Sequence, residues 1–432
     1  MISAALWTFL FLNVASAAPR WPGAGAPLSL EQCFDAAVAQ SEVIGTQNEL
    51  ILQAEERYRQ ATGSVLPTVN ANASYLVQET PSSSLGGSFS PSTQPVVRFS
   101  ATQPLFRGFR EFAGLRQAKG LLGAQQFARQ QALIQLYKDV AQVFYTVIAL
   151  EQDLLNIASE MSYYRERVRE LNERKKIGRS RASEVLSVQS AIANLKAQSE
   201  QIRGQLWSAR ESFRFLTGRD HETPLADAEP PVPVSGPLPD ISAFIKLSEQ
   251  RPDIKAELER EKATYEGIAI ARGAHLPSVD LNGDYFLIRS GSLKDVNWDA
   301  QIALSLPIYA GGVIQSRVRE AASLHRQEQL NLSRVRRTAE QEIRTQYEIF
   351  TADRAQLAAL TEAVRIAHRN YRQQTEEYRL GLVTNIDVLQ ALTTFQESQR
   401  ALDRARFSAQ LDWVRLEASV ARRPRSGDRP GG

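Results

Sequence analysis

The chain has 432 residues, of which 43% are hydrophobic and 23% are charged, and its formal net charge is +3. This composition is typical of a folded chain with room for two domains, and it excludes an intrinsically disordered protein. The nearly neutral charge does not indicate a nucleic-acid-binding protein. The four histidines lie in separate segments without metal-ligand spacing, and the sequence has neither a phosphate-binding glycine loop nor a nucleophile elbow. We therefore expect neither an enzyme nor a bound metal or cofactor.

The N-terminus carries an apolar run from Ala4 to Val14, which is followed by the small residues Ala15-Ser16-Ala17. This pattern predicts a signal peptide over residues 1–17, removed on export. The only cysteine, Cys33, lies well after the predicted cleavage site, so neither a lipid anchor nor an intramolecular disulfide is expected. We interpret Cys33 as a small buried apolar residue of a helix.

No run of about 18 uninterrupted apolar residues follows the signal peptide, so no transmembrane helix is expected. Four segments instead alternate apolar and polar residues, which predicts strands with one apolar and one polar face. In the first of them, Val69 and Ala71 alternate with Asn70 and Asn72. The predicted strands cover residues 67–78, 95–105, 277–288 and 296–307.

The four strands form two predicted hairpins in a chain that is otherwise helical. Any one of them also fits a soluble sheet packed on a core, but their pairing in an exported chain favours a membrane β-barrel, whose strands need only about ten residues. Four strands cannot close around a lumen, and an open sheet edge cannot lie in lipid because its N–H and C=O groups would stay unpaired. Closure therefore requires several chains. Two chains would supply eight strands and three would supply twelve, and only the larger barrel leaves an open pore.

The sequence is an internal duplication. ATGSVLPTVNANASY aligns without a gap with ARGAHLPSVDLNGDY, which begins at Ala271. The two repeats are predicted to cover residues 18–220 and 241–421, each with a short helical part, a hairpin and two long helices. Proline and glycine in residues 221–240 predict a linker between them, and residues 422–432 are predicted to form a disordered tail.

Long helices follow each hairpin and are predicted at residues 109–177 and 183–218, and again at 312–380 and 386–421. Apolar residues recur in them at alternating steps of three and four, which predicts left-handed coiled coils between antiparallel partners. The first helix of each pair has roughly 69 residues and a length on the order of 100 Å. Such a rod exceeds an ordinary globular core, so we interpret it as a spacer or as the wall of a tube.

A glycine interrupts each helical pair, at Gly178 and Gly381. Each glycine is predicted to end its helix in the left-handed conformation. Glu184 and Asp387 then fall in the first turn of the returning helix, where the helix dipole stabilises a carboxylate. Alternatively, several chains bring these carboxylates together as a ring that selects cations or gates a tube. Short polar residues are predicted to cap the returning helices: Ser180, Ser183, Thr384 and Asn385.

These motifs, in duplicated order, resemble the TolC-type outer-membrane efflux and secretion channels. The resemblance covers nearly the whole mature chain and rests on SLEQCFDAAVAQ, on the two LP-x-V…Y strand starts, on PLFRG and PIYAGG at the strand ends, and on the G-x-x-x-x-x-[DE]-V-L turns. It implies a mainly α protein with membrane β structure. Its long coiled-coil helices would form a periplasmic α-barrel, and each chain would contribute four strands to a trimeric 12-stranded β-barrel in outer-membrane lipid.

The function implied by this resemblance is a homotrimeric channel-tunnel. It would receive substrates from an inner-membrane transporter and its periplasmic membrane-fusion adaptor. The function that the resemblance favours is efflux of small molecules. The same channel serving type I protein secretion is an alternative. The alternative outside the channel class is an exported coiled-coil structural or adaptor protein, which leaves the hairpins unexplained.

The resemblance also assigns roles to residues at the glycine turns. Tyr378, Asp387 and Glu184 would form the gate and constriction, whereas the position of the family's gate arginine holds Val383. We expect Arg179 or Arg181 to substitute for that arginine. The second position of the acidic ring is Gln390, which predicts a weaker cation preference. The expected adaptor-docking residues are Gly178, Ser180, Gly381, Leu382 and Val383, braced by Val185, Leu186, Val388 and Leu389.

Overall fold

The computed structural model describes residues 26–79, 92–227 and 238–422. The predicted signal peptide lies outside the described residues, as do residues 228–237 of the predicted linker and the predicted tail beyond Arg422.

Both halves of the described chain have the same order of elements: helices, a hairpin, a long helix, a glycine turn and a second long helix. In the first half these are α1 (Leu30–Gln40), α2 (Glu42–Gly63), β1 (Thr68–Val77), β2 (Thr93–Arg107), α3 (Arg110–Lys176) and α4 (Ala182–Thr217). In the second half they are α5 (Ile241–Leu247), a 3₁₀ turn (Ser248–Gln250), α6 (Pro252–Gly273), β3 (Ser278–Ile288), β4 (Trp298–Ser305), α7 (Val313–Leu380) and α8 (Asn385–Ser419).

The first helix illustrates how local sequence sets these boundaries. Ser29 and Gln32 form a capping box at the start of α1, in which each side chain accepts a hydrogen bond from the other residue's backbone N–H. Cys33 follows in the same turn and is completely buried, as expected, in an apolar core that α1 forms with α3, α4 and α8. Burial raises the pKa of the Cys33 thiol to about 12, so the thiol stays protonated.

The four strands form one antiparallel sheet in the order β1-β2-β3-β4. Its register aligns Ala71, Phe99, Tyr285 and Trp298 across the sheet in a single row. No described residue of the chain covers this apolar face, and Trp298 is 67% exposed. The other face is polar, as the hydrogen bond from Ser100 to Asp284 shows. The predicted two-faced hairpins are therefore formed.

The long helices pack as two antiparallel coiled-coil hairpins, α3 with α4 and α7 with α8, and α3 also contacts α8. The predicted apolar repeat of α3 is buried, for example at Val140, Val147 and Ile157. Helix α7 differs because only a narrow line of its side chains is buried, and the described residues leave most of this rod without a partner.

Helix α3 is the one helix of the described residues that is long and apolar enough to cross a membrane, by length and composition alone. Half of its most apolar 18-residue stretch is buried inside the protein. Buried core helices meet the same criterion, so this stretch does not identify a membrane span.

Candidate functional site at the glycine turns

The two glycine turns lie side by side at the end of the rods that is distant from the sheet, and one apolar cluster joins them. Both glycines adopt the predicted left-handed conformation, with φ of 75° at Gly178 and 79° at Gly381. The backbone N–H of Arg179 donates to the Arg174 carbonyl at 2.8 Å, and that of Leu382 donates to the Glu377 carbonyl at 2.9 Å. These are the bonds of a Schellman cap, so each turn has a fixed backbone shape.

The returning helices begin differently in the two repeats. Thr384 caps α8 as predicted, because its hydroxyl accepts from Asp387 N–H at 3.4 Å and its own N–H donates to Asp387 Oδ2 at 2.8 Å. In α4 the cap position is Arg181, which makes no side-chain cap bond. The predicted caps Ser180 and Ser183 are therefore wrong: Ser180 lies one residue too early, and Ser183 lies inside the first turn.

The two acidic residues are each held within their own turn. The Ser180 hydroxyl donates to Glu184 Oε2 at 2.6 Å, and Glu184 is half-buried. Asp387 is exposed, and hydrogen bonds from Thr384 lower the pKa of its carboxyl. Asp387 is therefore a fixed anion at the surface of the turn.

Tyr378 is buried at the last turn of α7, and two guanidinium groups of α3 contact its ring. The Cζ atoms of Arg167 and Arg174 are 4.0 Å and 4.4 Å from the centre of its ring. Glu170 joins the two arginines, with its carboxylate oxygens 2.6 Å from Arg167 Nη1 and 3.2 Å from Arg174 Nη2. A desolvated cation over a tyrosine ring stabilises contacts by about 2 kcal/mol. Burial also raises the pKa of the Tyr378 phenol, which keeps it neutral.

Arg167 links Tyr378 to the second half of the chain as well. Its Nε donates to Asn385 Oδ1 at 2.8 Å, and both side chains are buried. The prediction of Asn385 as a cap is wrong, since its side chain points to α3. The cations at Tyr378 come from α3, whereas Arg179 and Arg181, which we expected there, are exposed.

Sequence reasoning missed Arg167, Glu170 and Arg174 because it considered only the turns. A signal was present, since residues at i, i+3 and i+7 share one helix face. Val383 does not take part in an ion pair and instead packs on the edge of the apolar cluster.

The predicted docking residues are partly accessible. Gly178, Gly381 and Leu382 are exposed, whereas Ser180 and Val383 are half-buried. Of the predicted braces, Val185 and Val388 are buried and Leu389 packs on the apolar cluster, but Leu186 points outward. Leu186 follows Val185 on a helix, where neighbours point in different directions. Five large apolar side chains around the turns are 63–75% exposed: Ile177, Leu186, Leu380, Leu382 and Ile386.

Comparisons with known proteins agree with this architecture. The chain matches the profile of the family "Outer membrane efflux protein" over residues 38–219 and 246–422. It is 22% identical to outer membrane protein TolC of Escherichia coli (strain K12), over 85% of this chain and 77% of that protein. It is also 27% identical to the proteases secretion protein PrtF of Dickeya chrysanthemi, over 38% of this chain and 37% of that protein.

Among solved structures, the fold is similar to that of the outer membrane protein VceC from Vibrio cholerae, with a TM-score of 0.78 at 19% sequence identity. The similarity covers 91% of this chain and 96% of VceC. The predicted fold class and outer-membrane location are thereby confirmed. The chain belongs to the outer membrane efflux protein family, whose members are outer-membrane channels and not enzymes.

Proposed function

We propose that three copies of this chain form a channel-tunnel through the outer membrane and periplasm. The tunnel would take its substrates from an inner-membrane transporter through a periplasmic adaptor, and small molecules would be the main cargo. The observation that carries the proposal is a sheet with an uncovered apolar face and two open edges, set on helical rods that one chain leaves largely unpartnered.

Closure of the sheet follows from its strand order. Since β1, β2, β3 and β4 alternate in direction, β4 of one copy runs antiparallel to β1 of the next. The two can therefore pair as neighbours within the chain do, which removes every open edge from lipid. Three copies give twelve strands and an aqueous lumen, whereas an eight-stranded barrel would be filled by side chains.

The polar face of the sheet would line that lumen. It carries both ion pairs and hydrogen bonds between neutral side chains. Arg107 lies 2.8 Å from Asp280, and the Thr102 hydroxyl donates to Asn282 Oδ1 at 2.9 Å. Such a wall offers hydrogen bonds to water and no shaped pocket. Cargo selection would then belong to the inner-membrane transporter.

The rods would form the tunnel by association of their exposed sides. Helix α7 exposes Leu324, Leu330 and Ile366 along one chain, and burial of such side chains on another copy stabilises an oligomer. With 68 residues, α7 would extend the tunnel by roughly 100 Å.

The tip formed by the two glycine turns would receive the adaptor. Exposed Leu382 and Ile386 beside two rigid turns form an apolar surface of the kind that binds the apolar face of a helix. In the trimer, Tyr378 would hold the tip closed, and copies of Asp387 and Glu184 would face the constriction.

Transport into the medium tests the proposal. Cells that lack their own channel of this family would be supplied with this chain and with a matching adaptor and transporter, and loaded with a fluorescent dye. We expect dye efflux that is lost when Leu382→Asp blocks the tip. Unchanged dye retention with the protein present in the outer membrane would contradict the proposal.

Protein secretion is a second candidate because one relative is a proteases secretion protein. The same cells supplied with a one-step protein exporter would then release its substrate protein. An exported coiled-coil protein without a channel is disfavoured, since it leaves the apolar face of the sheet uncovered.

A further inference from the structure

The helices next to the sheet match residue by residue in the two halves of the chain. Helices α2 and α6 both have 22 residues, and each ends at a glycine. Helix α3 begins at Arg110 and α7 at Val313, and the same number of residues separates each start from its turn glycine, Gly178 or Gly381. Every residue of α3 and α6 therefore has a defined counterpart in α7 and α2.

The contact between α3 and α6 joins the two halves next to the sheet. Helix α3 follows β2, α6 precedes β3, and these two strands are neighbours in the sheet. The counterpart helices are α7, which follows β4, and α2, which precedes β1. In the described part of the chain these two helices make no comparable contact. Repeated units bury such surfaces on neighbouring units, so the surface of α7 fits α2 of a second copy.

Small residues bring α3 and α6 close together. A Cβ atom on Gly120 would lie 3.1 Å from the carbonyl oxygen of Glu259, and one on Gly123 would lie 3.4 Å from Glu259 Cγ. A side chain at Gly120 would force the helices apart, since the atom that it meets belongs to the backbone. Gly123 and Glu259 are thus one pair of facing positions in this contact.

Two further contacts show which positions of α3 and α6 face each other. Arg116 Nη2 lies 2.8 Å from Glu266 Oε2, so an ion pair crosses from one helix to the other. At the next residue of each helix, a Cβ atom on Gly267 would lie 3.3 Å from Gln117 Nε2. The contact therefore supplies three facing pairs, spread over about two turns of α3.

The counterparts of the three facing pairs carry opposite charges. Each pair joins an arginine with a glutamate, and all six side chains are exposed among the described residues. Arginine precedes glutamate on α7 and follows glutamate on α2, so a rotation of either helix would bring like charges together. This pattern favours one partner in one register. The pairs, with the α7 residue first, are Arg319 with Glu56, Glu320 with Arg57, and Arg326 with Glu49.

Two of these side chains have local contacts that they can exchange. Arg319 donates to the Ser316 hydroxyl at 3.1 Å, and Glu56 lies 2.7 Å from Arg59. Each partner is three residues away on the same helix, and both contacts are exposed. Exposed pairs of this kind contribute little to stability. A partner on another copy can therefore replace them.

The contact between copies would be wider than the contact within the chain. Three glycines of α3 and α6 are replaced by longer residues in the counterpart helices, namely by Ser323, Arg326 and Arg57. Longer side chains keep two helices further apart and leave room for water between them. Dissolved salt consequently reaches the charges of this contact and screens them.

We propose that α7 of each copy binds α2 of the next copy through these three charge pairs, which fix the order and register of the copies around the tunnel. The inference rests on the proposed channel function and names the residues by which the copies recognise each other. Helices within a chain meet through glycines, whereas copies meet through exposed charges.

Disulfide trapping tests which residues face each other. Arg326→Cys with Glu49→Cys should give covalent trimers on denaturing gels after oxidation, and a reductant should return single chains. Arg317→Cys with Glu49→Cys is the matched control, because Arg317 is exposed on α7 and its counterpart Gly114 has open space around it. The control should stay single-chain, and equal cross-linking of the two variants would contradict the inference. The native Cys33 is buried and does not interfere.

Charge reversal tests whether the pairs stabilise the assembly. Arg326→Glu places two anions at every interface, which should weaken the trimer about fivefold per interface and roughly hundredfold over three interfaces. Addition of Glu49→Arg to the same chain should restore the trimer, because it recreates the pair with its signs exchanged. Arg317→Glu is the control for the added charge and should behave as wild type.

Dilution series in detergent, followed by native mass spectrometry or mass photometry, measure the trimer fraction of these variants. The differences should be largest at about 0.05 M salt and nearly absent at about 1 M salt, where the Debye length is only about 3 Å. A double variant that is no more stable than Arg326→Glu would contradict the inference.

The outcomes separate the two proposals. Wild-type trimers whose Arg326→Cys and Glu49→Cys variant does not cross-link would overturn this inference alone. Absence of trimers from wild type would overturn the proposed channel function, and this inference with it.

Discussion

Arg251 at the start of α6 offers a quantitative test of how the two coiled-coil hairpins are held together. It is buried and makes contacts with three elements: Nη2 lies 2.8 Å from Asp253 and 2.9 Å from Glu342 of α7, and Nη1 donates to the Ser419 carbonyl at the end of α8 at 2.8 Å. Lys138 of α3 lies 2.7 Å from the same Glu342. This junction joins α3 to the second hairpin near the middle of α3 and α7, at the level where α8 ends.

Replacement of Arg251 by Met keeps the volume and removes the charge. Loss of one partner from a buried ion pair costs about 3–5 kcal/mol. The Asp253 and Glu342 side chains are 25% and 29% exposed, so water partly compensates, and we expect about 3 kcal/mol per chain. An unfolding entropy of about 2.1 cal/mol/K per residue gives roughly 0.9 kcal/mol/K for 432 residues. The expected fall in Tm is therefore about 3 °C. It is the same for a trimer, because the lost free energy and the unfolding entropy both increase in proportion to the number of chains.

Thermal unfolding followed by circular dichroism at 222 nm, in detergent and at fixed protein concentration, measures this shift. Arg336→Met is the control, because Arg336 pairs with Glu249 at 3.1 Å and both side chains are largely exposed. Such a pair contributes about 0–1 kcal/mol, so its Tm should fall by at most about 1 °C. Equal falls in Tm for the two variants would refute the view that burial makes the Arg251 ion pairs more stabilising than an exposed pair.

Three further predictions concern the acidic residues and the caps. Asp387→Asn should weaken blockade of the channel by divalent cations in bilayer recordings. Equal blockade of wild type and variant would exclude Asp387 from the constriction. Burial and the neighbouring charge of Asp412 raise the pKa of Asp353 from 3.8 to about 6, so the free energy of unfolding falls as pH rises between these two values. Asp353→Asn should therefore raise Tm at pH 7.5 and leave it nearly unchanged at pH 4, which thermal unfolding at both pH values checks. Thr384→Ala should cost about 1 kcal/mol in denaturant unfolding and Ser180→Ala less, because only the threonine caps a helix.

The periodic parts of the fold follow from the sequence for a simple reason. Strand alternation and the repeat of three and four are local patterns, so the two-faced hairpins and the seam of α3 are readable without knowledge of their partners. The glycine turns are equally local. Gly178 and Gly381 are the residues best suited to the left-handed conformation that a Schellman cap requires.

The start of α4 differs from the start of α8 in a local signal. The capping-box spacing places an acid three residues after a serine or threonine, which Thr384 and Asp387 satisfy. In the first repeat the residue three before Glu184 is Arg181, so no box can form. This spacing excludes Ser180 and Ser183 as capping-box residues.

The contacts around Tyr378 depend on tertiary structure. Arg167 and Arg174 lie on the first coiled coil and Tyr378 on the second, and their meeting depends on the register between two hairpins. Neither helix encodes that register alone. The family resemblance places the gate residues, including the position of Val383, at the glycine turns. The cations that contact Tyr378 lie outside these turns, one and three turns of helix α3 before Gly178.

The central claim is that one chain supplies a third of a closed barrel. The mass of the intact complex, measured by native mass spectrometry after extraction from outer membranes in mild detergent, tests it directly. We predict a complex of three chains, in which each β4 pairs with the β1 of a neighbour. A single folded chain as the only species at detergent conditions that preserve other outer-membrane oligomers would contradict it.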